Sequence, residues 1–164
     1  MARRQPGLES APPAGTVRAT ALTLLSRRDY TTAELRSKLA DKGYDTETID
    51  VAVAELTSQH LLDDRRSAAA HVRRAAAIKG RGRVRISREL AARGLSREII
   101  DEALAAVARD DEMAAIRRIL SRKRWPANPS RLERQGMYRH LLGRGFPADL
   151  IGRALGRHDE DDAD

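Results

Sequence analysis

At 164 residues the chain is long enough for one ordinary domain, which at that size buries roughly two-thirds of the surface its unfolded form exposes. Hydrophobic residues make up 41% of it and aromatics only 3%, much of the apolar share being alanine, so thin helical layers fit better than one thick core. The absence of Cys excludes disulfide frameworks, thiolate metal sites and cysteine nucleophiles, and the net charge of +7 points to a polyanionic or acidic partner.

The first sixteen residues, with Pro6, Gly7, Pro12, Pro13 and Gly15, are expected to form a flexible arm, and they lack the apolar run of a signal peptide. No later stretch approaches the roughly 18 consecutive apolar residues of a membrane span, so a cytoplasmic location without membrane contact is expected. A first helix is predicted over 17–26 on Ala21, Leu24 and Leu25. Thr31 with Glu34 reads as a capping box that opens the next helix, which Gly43 should close in the left-handed conformation, and Asp45 suits the start of the third. Further on, a helix is predicted from Asp64 to Ile78 on Ala68, Val72 and Ala76. Another should end at Gly94, with Ser96 starting its successor, and one more spans Met113 to Arg122 on Ile116, Ile119 and Leu120. Ser130 with Glu133 is a second capping box, Gly145 a third terminator and Pro147 the opening of the last helix. Beyond Gly156 the chain is acidic and expected to be a solvated tail over 157–164, a weaker alternative being an electrostatic lid over the basic segments.

These elements repeat. Lys42-Gly43-Tyr44, Arg93-Gly94-Leu95 and Arg144-Gly145-Phe146 recur every 51 residues. Eight residues before the glycine stand Leu35, Ile86 and Met137, and four before it Leu39, Leu90 and Leu141. Six after it come Ile49, Ile100 and Ile151, and ten after it Val53, Leu104 and Leu155. Each unit thus carries three helices, and the expectation is an all-α chain of three tandem three-helix, helix-turn-helix-like repeats over 17–60, 61–109 and 110–156, in an elongated, curved arrangement. A unit so poor in aromatics buries little alone, so neighbouring units should supply the remaining core.

The charge is localised. Residues 65 to 93 hold ten Arg or Lys against Glu89 alone, and residues 115 to 144 hold nine against Glu133 alone, whereas 17 to 56 are balanced, with six bases and seven acids. The candidate partner-binding residues, toward an acidic protein surface or DNA phosphates, are therefore Arg73, Arg74, Lys79, Arg81, Arg83, Arg85 and Arg88 in the second unit and Arg122, Lys123, Arg124 and Trp125 in the third. Gly80-Arg81-Gly82 lacks the GxxxxGK[ST] pattern of a phosphate loop but would flex a cation-rich turn. Trp125 reads equally as an anchor within a basic patch or as a staple at a helix end. Five aromatic residues in all are too few for extensive base stacking.

Chemistry is harder to find. His60, His71, His140 and His158 show no metal-binding spacing, and no serine sits in a nucleophile elbow. The acid pairs Asp63-Asp64 and Asp110-Asp111 sit at expected helix starts, where they read as caps favoured by the helix dipole. No catalytic residue, metal or cofactor is therefore expected, and a monomeric non-enzyme is the reading.

The segment LLSRRDYTTAELRSKLADKGY (24–44), LLDD at 61–64, GRGRVRISRELAARGLSREIIDEAL (80–104), and RKRW with HLLGRGFPADLIGRAL (140–155) together resemble the RecX family of recombination regulators, over about Val17 to Leu155. One position departs from the pattern, Ser67, where the family usually carries an aromatic residue. The resemblance implies a RecA modulator that binds the recombinase filament on single-stranded DNA and inhibits or tempers its ATPase, strand exchange and SOS co-protease activities in homologous recombination and DNA repair. Single- or double-stranded DNA is a further candidate partner, through the basic patches. The alternative is a basic helix-turn-helix-like protein that binds DNA without RecA.

Overall fold

The structure, a computed structural model, describes residues 15–156; residues 1–14 of the expected arm and the tail 157–164 lie outside the described residues, and with them the lid reading. Among the described residues the secondary structure is helical, with nine α-helices and no strand. By its contacts the chain divides into two compact units, at Asp64 and Arg65.

The first unit holds α1 (Val17–Leu25), α2 (Thr32–Ala40) and α3 (Thr46–Ser58). Each opens on a side chain that accepts from an otherwise unpaired backbone N–H: Thr16 for α1, Thr31 in a reciprocal capping box with Glu34 for α2, and Asp45 for α3. Asp64 Oδ1 accepts from Thr32 N at 2.7 Å, so this acid serves the N-terminus of α2. Ala21, Leu35, Leu39, Ile49, Val53 and Leu56 form a single buried cluster.

The second unit contains α4 (Asp64–Arg73, entered from its first residue), α5 (Arg83–Ala92), α6 (Arg97–Ala105), α7 (Arg109–Arg122), α8 (Arg131–Gly143) and α9 (Ala148–Ala154). The expected continuous helix to Ile78 instead widens after Arg73 into a π-helical turn over Arg74–Ile78, with Lys79 N bonded to Arg74 O at 3.3 Å. Helix α7 starts four residues before the expected Met113, at Arg109. Asp110, Asp111 and Glu112 lie in its first turn, while its cap position, Ala108, has no side-chain acceptor. Asp110 and Asp111 therefore lie near the positive helix end without capping it. Ser67, the position that departs from the expected pattern, is buried beside Ala68 on α4, 6% exposed.

Two further cores occupy this unit. Ala68, Val72, Ile86, Leu90, Ile100 and Leu104 gather α4 to α6, and Ile116, Leu120, Met137, Leu141, Phe146 and Ile151 gather α7 to α9. All twelve repeat positions singled out in the sequence are buried, and Leu39, Leu90 and Leu141 are 0% exposed. The base-glycine-apolar triplets are one device used three times. Gly43, Gly94 and Gly145 have φ of 88°, 79° and 84°. Tyr44, Leu95 and Phe146 each donate their backbone N–H to Leu39, Leu90 and Leu141, at 3.3 Å in all three. The glycine in the left-handed conformation lets the apolar residue fold back over the helix it has just left, which ties the turn to the core.

Candidate cationic interface on the second unit

The glycine turn of α8–α9 carries more than helix termination. Gly82 N donates to Arg144 O at 2.9 Å and Val84 N to Gly145 O at 3.1 Å, so the start of α5 hydrogen-bonds backbone to backbone with that turn. A Cβ placed on Gly82 would fall inside the carbonyl of Gly145, and one on Gly145 would fall inside the Arg85 backbone. Only two glycines allow this approach. The side chains then lock it: Arg85 Nη1 donates to Gly143 O at 3.2 Å, and Arg144 Nη1 to Lys79 O at 3.1 Å.

Helix α5 begins at Gly82, which offers no capping side chain, and the missing acceptor comes from α7. Glu112 Oε1 accepts from Arg83 N at 2.8 Å, although Glu112 is only 2% exposed. Its charge is met by Arg83, whose Nε lies 3.8 Å from Oε2 and whose Nη2 donates to Leu104 O at 3.1 Å. A charge-assisted bond to a buried carboxylate of this kind contributes about 1.5–3 kcal/mol.

These contacts sort the candidate cations into two groups. Arg81, Arg83 and Arg85 are committed internally: Arg81 and Arg85 both pair with Glu89, at 2.6 and 3.0 Å, and His71 Nε2 lies 3.0 Å from the same carboxylate. Burial disfavours the Glu89 anion, but hydrogen bonds from Arg85, His71 and Arg81 outweigh it and hold the carboxyl below its ordinary range. Arg73, Arg74, Lys79, Arg88, Arg122, Lys123 and Arg124 are exposed and form no ion pair among the described residues.

The structure brings Lys79, Arg81 and Arg85 together with Arg139, His140 and Arg144 around an open hollow of about 520 Å³. A second hollow of about 180 Å³ shares Lys79 and Arg144 with it and adds Arg118, Arg122 and Lys123. Arg139 and Arg144 likewise have no acidic partner among the described residues, and Arg144 spends its donors on backbone carbonyls and on His140 Nε2 at 3.2 Å. Burial, then the charges of Lys123 and Arg144, push the His140 imidazole below its usual value and favour its neutral form. The site is therefore a cationic concavity that suits carboxylates or phosphates.

Arg73 lies instead on the rim of a large apolar cleft, Arg88 in a separate shallow hollow with Asp101, and Arg74 and Arg124 in neither of the two cationic hollows. Arg124, with φ 50°, closes α7: Trp125 N donates to Leu120 O at 3.0 Å, and the half-buried indole packs on the third core. Of the two readings of Trp125, this contact favours the staple. Sequence reasoning missed Arg118, Arg139, His140 and Arg144. Arg118 stands one helical turn before Arg122, and Arg144 is the base of the third triplet, so both signals were present.

Comparison with known proteins gives a consistent assignment. The model for the first three-helix domain of RecX matches residues 18–56, and that for the second matches residues 63–104. The chain is 38% identical over 147 residues to the regulatory protein RecX of Halorhodospira halophila, covering 89% of this chain and 90% of that one. It is 36% identical over 152 residues to that of Pseudomonas putida F1, covering 89% and 93%. The chain belongs to the RecX family. Its fold is similar to the crystal structure of RecX from Lactobacillus salivarius, with a TM-score of 0.78 at 21% identity over 85% of this chain and 92% of that one. A second RecX crystal structure aligns with a TM-score of 0.76 at 22% identity, covering 86% and 70%. Within this RecX-family chain, Lys79, Arg81 and Arg85 fall in the matched second domain, whereas Arg122, Lys123, Arg139 and Arg144 come from the following helices. No described helix is long and apolar enough to cross a membrane.

Proposed function

We propose that this RecX-family chain is a cytoplasmic, non-enzymatic regulator that binds the RecA filament on single-stranded DNA and inhibits its ATPase, strand-exchange and SOS co-protease activities. It works through tandem units over 17–60, 61–109 and 110–156. The observation that carries this reading is the group of cations, Lys79, Arg122, Lys123, Arg139 and Arg144, on two adjoining hollows with no acid paired to them among the described residues. Such a surface gains by meeting fixed negative charge, whereas Arg81, Arg83 and Arg85 hold the surface in shape. Exposed arginines on one rigid seam can engage acidic RecA side chains or adjacent phosphates, and several weak contacts to successive protomers gain through effective concentration.

The test is a titration of ATP hydrolysis by preformed RecA filaments with the wild-type chain and with the triple variant Lys79→Glu, Arg122→Glu, Lys123→Glu. These three residues are exposed and make no ion pair among the described residues, so the fold should survive. Inhibition is expected to weaken by at least about tenfold, since lost charge pairs at an interface are worth about 1.5 kcal/mol or more in sum. Unchanged inhibition would remove the proposed surface. If instead the chain retards DNA without RecA, with affinity falling steeply as salt rises, the alternative of a RecA-independent DNA binder takes its place.

A further inference from the structure

The second unit carries another concavity, of different chemistry. A cleft of about 580 Å³ opens between α4 with its π-turn, α6 and α7, and its walls are alanines, Ala69, Ala76, Ala103, Ala106 and Ala114 among them, with Val72 and Phe146 deeper in. That volume falls within the range of built ligand sites, roughly 300–1,000 Å³. Short side chains on three facing helix surfaces leave room that larger residues would have filled. Its rim carries four arginines against two exposed acids, Glu102 and Asp111. Arg65, Arg73, Arg81 and Arg118 stand around it; Arg65 is paired with Glu98 and Glu102, and Arg81 with Glu89, while Arg73 and Arg118 have no acid among the described residues. In the wall sits Glu112, 2% exposed, whose Oε2 is buried, lies 3.8 Å from Arg83 Nε and has no hydrogen-bond donor among the described residues. An acceptor left unmatched in a buried site costs about 1–3 kcal/mol, which a bound donor recovers.

We infer that this cleft is a docking groove for an amphipathic segment of a protein partner, with apolar side chains in the alanine-lined floor, carboxylates toward Arg73 and Arg118, and an uncharged hydroxyl, indole or amide donor for Glu112 Oε2. The inference rests on the reading of the chain as a regulator of another protein and adds the chemistry of what it grips. A cationic donor fits poorly, because Arg83 already lies 3.8 Å from that oxygen and four arginines surround the opening. The chain's own residues 157–164 offer acids but only Ala163 as an apolar group, too little to fill the floor. Helix-in-groove recognition has this form: apolar anchors at i, i+3, i+4 and i+7 in a trough, with charges at the edge.

The probe is a fluorescein-labelled synthetic helix with leucines at those positions, one serine among them and glutamates elsewhere, followed by fluorescence anisotropy with the full chain and no RecA present. Saturable binding is expected. Ala114→Trp and Ala106→Trp, both at exposed positions in the walls, should weaken it by about tenfold or more, as filling a hot-spot pocket does. The double variant Arg73→Glu, Arg118→Glu should weaken it by about fivefold, and a peptide with lysines in place of the glutamates should not bind. If circular dichroism shows one tryptophan variant misfolded, the other carries the comparison. No binding by the wild-type chain, equal binding by the tryptophan variants, or equal binding of the lysine peptide would each overturn the inference. Because RecA is absent, failure here leaves the ATPase titration standing, and failure there leaves this groove intact.

Discussion

Gly145 serves two purposes at once. Its φ of 84° ends α8, and its missing Cβ admits the backbone of Arg85. Gly145→Ala combines a left-handed penalty with a backbone clash and is expected to destabilise the chain by about 2–4 kcal/mol in a denaturant titration. Gly136, in the middle of α8, is the contrast: a Cβ there meets nothing within 4 Å, so Gly136→Ala should stabilise by about 0.5–1 kcal/mol. A result of the same sign for both would contradict this account. The sequence shows Gly145 as a helix terminator, because the triplet recurs every 51 residues. That Gly82 lies against it is not legible, since nothing in Gly80-Arg81-Gly82 names a partner more than sixty residues away.

Between elements, the seam of α5 and α8 should respond to acid in two stages. The folded state lowers the His140 pKa from its ordinary 6.5, so the unfolded chain takes up the proton more readily and stability rises with pH in that window. This contribution is whole above 6.5 and is lost as pH falls toward the depressed folded value. Glu89, held below its ordinary 4.5, adds a second loss further down, as the pH drops through its folded value and the bonds to Arg85, His71 and Arg81 lose their anion. Thermal melts from pH 8 to 3 should therefore show a midpoint that falls in both ranges. In His140→Gln the upper step should vanish and the lower one persist; a wild-type midpoint that rises on acidification would refute the assignment. Local signals on these helices were legible to a useful depth. Thr31 with Glu34 and Ser130 with Glu133 form both capping boxes, and Asp45 and Ser96 cap as expected, because such bonds span only three residues. The π-turn at Arg74–Ile78 was not legible, as Ala75, Ala76 and Ala77 favour an ordinary helix; it ends where Arg81 N turns back to Ala75 O at 3.1 Å.

Across the molecule the three cores, one per triplet, agree with the triplication, but two of them belong to one compact unit. Nearest-neighbour repeats would open one by one if their interfaces were weak. Here Gly82, Arg83 and Val84 give their N–H groups to the α8–α9 turn and to Glu112, so α5 cannot open without losing acceptors supplied by α7 to α9. In native-state hydrogen exchange, Val84 should open with a free energy within about 0.5 kcal/mol of Leu141 in α8. Gly145→Ala should lower both together. Loss of protection at Val84 while Leu141 stays protected would mean that the two bundles are separable.

Periodicity by itself determined the helical class, the three-helix unit, its buried positions and its terminators, because each depends on residues within one or two turns of one another. Charge density likewise marked the region of the cationic surface. Only the tertiary structure decided which cations remain free: Glu89 and Glu112, two acids among many bases, consume Arg81, Arg83 and Arg85, while Arg139 and Arg144 arrive from another bundle to take their place. Composition counts charges along the chain, whereas an ion pair depends on distance in space: Arg85 reaches Glu89 within one helix, but Arg144 is brought to Lys79 where two glycines let one backbone rest on another.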